Sequence, residues 1–321
     1  MSMSFAVVVC SYDLMRVNDL DESIGSIRCQ TYRGPIEVIV CVDGNSELHD
    51  LLTRRYENVP GVKVIGTGKP MPLGLSYARN LGIIASQQDI VCFLDDDAVA
   101  DPDWVAELAM SYERHDTPMV VGKILPLWRD KPPRWFTPAF YWLVGATGSL
   151  FVEQEHRVRN GFGSNLSCTR RGLDRIGLFA SSLDTRGSVP LQAADAELGL
   201  RVREAFGSGP IYNPKAVVFH KVGARLRIQT LLKRAYLQGK CKGVLFAMHG
   251  RRSSSLDTEA NYLRSGILRE AINAARQLLR LTDVTPSIQT LLFCACISFA
   301  VMLGFLLQVP IPVPQTGKGY A

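Results

Sequence analysis

Three consecutive carboxylates, Asp95-Asp96-Asp97, follow directly on the apolar run Ile90–Leu94. Like charges at that spacing repel and raise one another's pKa, and a bound divalent cation removes the penalty. Oxygen ligands of this kind suit Mg2+ or Mn2+, which would neutralise a departing diphosphate. A solvated acidic turn leading into a helix capped by Asp101 or Asp103 accounts for the same residues without a metal. A second acidic pair, Asp195 and Glu197, opens the run DAELGLR. Either carboxylate could act as general base toward a hydroxyl, or could simply favour the positive end of a helix. His220 closes the run AVVFH and offers an imidazole to a metal. Beyond it, Lys221, Arg225, Arg227, Lys233 and Arg234 could clamp phosphates, or could form a solvated or membrane-facing basic surface.

Short apolar runs alternate with amphipathic stretches through the first third of the chain, and these must position the acids. Strands are expected at Phe5–Cys10, Ile36–Val42, Val62–Ile65 and Asp89–Leu94, with helices near Asp19–Gln30, Leu75–Ser86 and Trp104–His115. The alternation predicts an α/β fold with a mainly parallel sheet, whose ligands sit at the carboxyl ends of the strands. Residues 126–160, rich in Pro, Trp, Phe and Tyr, read as loops, short helices and sheet edge. A helix at Asp195–Phe206, a strand at Ala216–His220, a basic helix over 228–249 and another over 256–281 follow.

From Ser287 to Pro314 no residue is charged, and Ile288–Val309 is almost wholly apolar, long enough to cross a bilayer. Arg264, Arg269, Arg276 and Arg280 precede this span and only Lys318 follows it, which places the large domain in the cytoplasm of a single-pass protein at the cell membrane. The expected division is a catalytic domain over 1–225, a basic membrane-proximal region over 226–285, a transmembrane helix over 286–310 and a tail over 311–321. The eight cysteines form no CxxC pair, which argues against structural zinc and a disulfide framework and for buried free thiols. That compartment also makes the sequon Asn165-Leu-Ser an unsuitable glycan acceptor. Net charge is +6, which fits an anionic partner, but no nucleic-acid recognition motif accompanies the basic stretches. Gly66-Thr-Gly68 lacks the third glycine of a dinucleotide fingerprint because Met71 stands there, and Lys69 is followed by Pro70, so no phosphate-binding P-loop is present.

In order, VVVCSYD, the strand end at Val40–Asp43, GLSYARN, FLDDDAVADPDW, Asn165 in GFGSNLS, ADAELGLR and VFHKV followed by KRAYLQGK resemble glycosyltransferase family 2 over residues 4–245. FYWLVG at Phe140–Gly145, VRNGFGSN at Val158–Asn165 and Gln192 narrow the likeness to transferases that pass glucuronic acid to glucosyl-dolichyl phosphate. The resemblance implies a GT-A fold, an inverting displacement, a UDP-sugar donor and a lipid-linked sugar acceptor. It also implies roles. Ser11, Tyr12 and Asp43 would hold the uridine, and Arg79 would support the base or diphosphate. Asp95 would contact ribose or sugar with Asp96 nearby, Asp97 would ligate Mg2+ or Mn2+, and Asp195 would be the catalytic base. His220 would sit near the metal, and Arg234 and Gln238 near the phosphates. Relatives carry two acids where this chain has Ala194-Asp195, which leaves Glu197 as a rival base. A sugar nucleotidyltransferase, which normally opens on a Gly-rich basic loop absent from CSYD, and a non-catalytic membrane scaffold are the competing readings.

Overall fold

The computed structural model describes residues 2–148, 153–184, 193–223, 226–249 and 266–308. The sequence features at Gln192, Arg225, Arg264, Lys318 and the tail lie outside these residues.

Four parallel strands form the first half of the sheet: β1 (Phe5–Ser11), β2 (Ile36–Val42), β3 (Val62–Gly66) and β4 (Ile90–Asp95), in the order β3-β2-β1-β4. Their continuous apolar runs follow from burial on both faces. Phe5, Val7 and Val9 point into one core with α1 (Val17–Arg28), α2 (Ser46–Tyr56) and α4 (Trp104–Arg114), while Ala6 and Val8 point into another with α3 (Leu75–Ala85). Cys10 pairs with both Cys41 and Asp95, so the carboxyl ends of β1, β2 and β4 finish level. Ser11, Asp43 and the three acids therefore share one rim.

The second half departs from a mainly parallel arrangement. Beyond β4 come β8 (Leu166–Thr169), β6 (Met119–Trp128), β9 (Ile211–Val222) and β5 (Ala98–Ala100), with β7 (His156–Arg157) pairing β9. β8 runs antiparallel to both β4 and β6, β9 runs parallel to β6, and β5 and β7 run antiparallel to β9. The β5 pairing sets Ala98 opposite His220, which carries the histidine to the acid turn. β9 is far longer than the expected Ala216–His220. Its pairing with β6 jumps from Asn213 to Val217, and Pro214, which has no N–H to donate, falls in the skipped residues. Asn165 fills this irregularity. Its Nδ2 donates to Lys123 O and Ala216 O at 2.9 Å each, and its Oδ1 accepts from Trp104 Nε1 at 2.8 Å. Gly122 is required beside it, since a Cβ there would overlap Ala216 O and the Asn165 amide.

α5 (Arg170–Ile176) and α6 (Ala194–Phe206) cover the face shared with α3, and Cys241, Val244 and Leu245 of α7 (Ile228–His249) join that core. α8 (Leu268–Leu279) and α9 (Val284–Leu306) complete the chain's helices among the described residues. α9 is the one described helix long and apolar enough to cross a membrane. It crosses α7 closely, because a Cβ on Gly239 would overlap Val301 O and one on Gly304 would overlap Tyr236 O. Phe293 of α9 meets the rings of Trp135 at 4.7 Å and Phe140 at 4.9 Å. Trp135, Phe136 and Phe140 are thereby buried. The other face of α9 exposes Ile288, Leu292, Phe299, Met302 and Leu306.

Candidate active site

The turn after β4 divides its acids among specific partners. Ser11 Oγ donates to Asp96 Oδ2 at 2.6 Å, and Arg16 Nη1 donates to Asp96 Oδ1 and Asp97 Oδ2 at 3.0 Å each. Asp97 Oδ1 faces His220 Nε2 at 3.2 Å. Burial pushes the Asp96 carboxyl up to about 6, against the hydrogen bond from Ser11 and the charge of Arg16. Burial also pushes Asp95 up, with Arg79 opposing it and Asp97 adding repulsion. Asp97 goes the other way: burial raises it, but the His220 hydrogen bond and charge, with Arg16, hold it below the usual carboxylate range. Burial would lower His220, and its contact with Asp97 more than reverses that.

Asp95, Asp97 and His220 each aim one ligand atom inward, and these atoms lie within 4.8 Å of one another. His220 Nδ1 is buried with no hydrogen-bond partner among the described residues. Two carboxylate oxygens and one imidazole nitrogen fit a divalent cation. The turn ending at Gly145, whose φ is +75°, approaches the imidazole. Arg234 Nη1 donates to Leu143 O in that turn at 2.8 Å, and Gln238 lies half-buried one helical turn further along α7.

A second cluster stands behind the acids. Arg79, near the middle of α3, is only 4% exposed. Its Nη1 donates to Asp195 Oδ1 at 2.8 Å and its Nη2 to Asp95 Oδ1 at 3.2 Å. The other oxygen of Asp195 accepts the Gly163 N–H at 2.8 Å. Asp195, at the start of α6, is thus brought to the rim that carries Asp95. Glu197 is not. It is 2% exposed and forms a two-point ion pair with Arg201, one turn along the same helix, at 2.7 and 2.8 Å. Arg201 in turn caps Ile176 O and Leu178 O, so Glu197 braces α6 against the end of α5.

The rim's far end is made by Asp43 and Tyr12. Both Asp43 oxygens accept backbone N–H groups, from Leu73 at 2.9 Å and Gly74 at 2.8 Å, which shapes the entry to α3. Gly74 itself has φ +112°, a conformation suited to glycine. Tyr12 is 57% exposed, its ring free to meet a planar ligand, and its carbonyl accepts from Asn45 Nδ2. The structure therefore gathers Ser11, Tyr12, Asp43, Arg79, Asp95, Asp96, Asp97, Asp195 and His220 along one edge of the sheet. Two residues there carry no signal in the sequence reading: Arg16, four positions after Tyr12, and Gly163, inside the quoted GFGSN run but without an assigned role.

Residues 6–176 match the family described as Glycosyl transferase family 2. The chain is 32% identical over 309 residues to the glucosyl-dolichyl phosphate glucuronosyltransferase of Haloferax volcanii, covering 95% of this chain and 97% of that one. Among solved structures it is similar to a mannosyltransferase of Pyrobaculum calidifontis in complex with GDP-Man and Mn2+, at a TM-score of 0.64 and 17% identity, over 96% of this chain and 88% of that one. It is also similar to residues 1–349 of S. aureus TarS in complex with UDP-GlcNAc, at a TM-score of 0.55 and 15% identity, over 81% of this chain and 72% of that one. With the parallel β1–β4 rim, the acid turn and a match that spans most of the chain, the protein belongs to glycosyltransferase family 2 and is a glycosyltransferase of GT-A fold.

Proposed function

We propose that the protein transfers a sugar, glucuronic acid in the first instance, from a UDP-sugar to a lipid-linked sugar at a membrane, with inversion at the anomeric carbon. The observation that carries this reading is the meeting of Asp195 with Asp95 across Arg79. It sets a carboxylate able to take a hydroxyl proton beside the acids that would hold the donor. Ser11, Tyr12 and Asp43 form the uridine end, and Arg234 and Gln238 the phosphate end. Asp97 and His220, with Asp95 beside them, would hold Mn2+ or Mg2+, which supplies positive charge to the diphosphate as it leaves. Asp195 accepts the proton of the acceptor hydroxyl as the new glycosidic bond forms and the bond to UDP breaks. The name of the Haloferax relative supports glucuronate as the donated sugar and a dolichyl-phosphate-linked glucose as acceptor.

The exposed stripe of α9 and the arginines of α8 support a membrane anchor with the 1–225 catalytic part on the cytoplasmic side. In this division 226–285 is membrane-proximal, 286–310 is embedded and 311–321 is a tail.

The test is UDP release by the full chain in detergent, from UDP-glucuronate and UDP-glucose, with membrane lipid extract as acceptor. Release that needs the lipid, and that is abolished by EDTA and in Asp195→Asn, is the expected result. Full turnover in Asp195→Asn overturns the base assignment. No release from any donor, together with no metal-dependent UDP binding, overturns the transferase reading for these substrates.

A further inference from the structure

Arg79 is buried, at 4% exposure, between two aromatic rings and two carboxylates. Its guanidinium is spread over the rings of Phe179, at 5.4 Å, and Phe93, at 5.9 Å, and both terminal nitrogens are engaged by carboxylates. The carboxylates come from the end of β4 and the start of α6, 100 positions apart in the chain. Gly163 closes the remaining side. Its N–H binds the second oxygen of Asp195, and a Cβ in its place would overlap the guanidinium. Burying a cation is costly unless its partners are fixed and well aligned. Here the planar fork fixes two directions at once, which a lysine ammonium does not.

We infer that Arg79 is a positioning residue for the transfer step: it brackets Asp195 to Asp95 and so sets the distance from the catalytic base to the donor side. This rests on Asp195 being the base. Arg79 and Gly163 both act through the Asp195 carboxylate that they hold. A misplacement of about 1 Å in such an arrangement costs on the order of 100-fold in rate. The bracket also explains why α3 contributes a charged residue to the middle of a buried face.

The test is a double-mutant cycle on the full chain, reading turnover at saturating donor together with the affinity for UDP and Mn2+ by calorimetry. Arg79→Met and Asp195→Asn should each lower kcat by about 100-fold or more. The double variant should be no slower than the worse single one, because residues acting as a unit are not additive. Arg79→Lys should recover about tenfold over Arg79→Met by restoring charge without the fork. Gly163→Ala keeps every charge and displaces the guanidinium. It should lower kcat about tenfold with little change in donor KM, and it carries the test if Arg79→Met does not fold. Losses that multiply in the double variant, or an unchanged kcat in Gly163→Ala, overturn the bracket while leaving the base in place. Full turnover in Asp195→Asn would remove the base assignment and the bracket together.

Discussion

At the rim of the sheet, Asp95, Asp96, Asp97 and Asp195 are held by Arg16, Arg79, His220, the Ser11 hydroxyl and one backbone N–H. Beyond the His220 end of that rim, α9 meets α7 through glycines laid on carbonyls and meets residues 135–140 through edge-on rings. Charge sets geometry in the first region and shape sets it in the second. The rim concentrates buried carboxyls, and that burial pushes Asp95 and Asp96 up. The helix layer is held by close packing of rings and of glycines on backbone. Substitutions should therefore separate: those at the rim change chemistry and spare the fold, and those in the layer change the fold and spare the chemistry.

The strongest way to break that contrast is in the layer. Phe293, 5% exposed and in contact with three aromatic rings, should cost about 3–5 kcal/mol of stability on change to Ala, measured by denaturant unfolding. UDP affinity of the remaining folded protein should be unaffected, and a parallel loss of affinity would merge the two regions. At the rim, Asp97→Ala should lower turnover about 100-fold, near 2.7 kcal/mol in barrier, and abolish the dependence of UDP binding on Mn2+. The melting transition of the metal-free protein should stay in place.

Asn165 sharpens the contrast, because it is polar yet belongs to the fold. Its change to Ala should cost about 2 kcal/mol, read as a lowered melting temperature, since the Trp104 indole N–H and two carbonyls lose their partner. The smallest effect concerns pH. The Asp96 carboxyl sits at about 6 in the folded protein against an ordinary value of 3.8. The folded state thus binds its proton first. Its contribution to stability is fully present below pH 3.8 and is lost as pH rises through about 6. Asp96→Asn should stabilise the metal-free protein by on the order of 1 kcal/mol at pH 8, and the difference should vanish near pH 4. A difference that does not change between those conditions would show that burial of Asp96 is not what raises it.

How far this was readable beforehand differs between the same two regions. β1 to β4 were legible because runs such as FAVVVC are apolar at every position, as strands buried on both faces must be. The acid turn was legible from Asp95-Asp96-Asp97 itself. The antiparallel half was not, because β8 is four residues, LSCT, and β5 three, too short for periodicity to register. Arg79 and Asp195 are 116 positions apart, and only the folded sheet makes them neighbours. The choice between Asp195 and Glu197 turned on helix phase, which the sequence left open; Arg201, four residues after Glu197, was the available clue that this acid is spent on its own helix. Composition located the aromatic segment but not its partner, because Phe293 lies more than 150 positions further along the chain.

Asn165 has one further consequence. It is 0% exposed, and its amide nitrogen is tied to two strands, so the asparagine of Asn165-Leu-Ser is out of reach once β6 and β9 have closed on each other. Chains threaded experimentally into a glycan-adding compartment could be modified there only before that closure. Occupancy at this one residue would then act as a clock, recording how long each molecule waited before its sheet was complete.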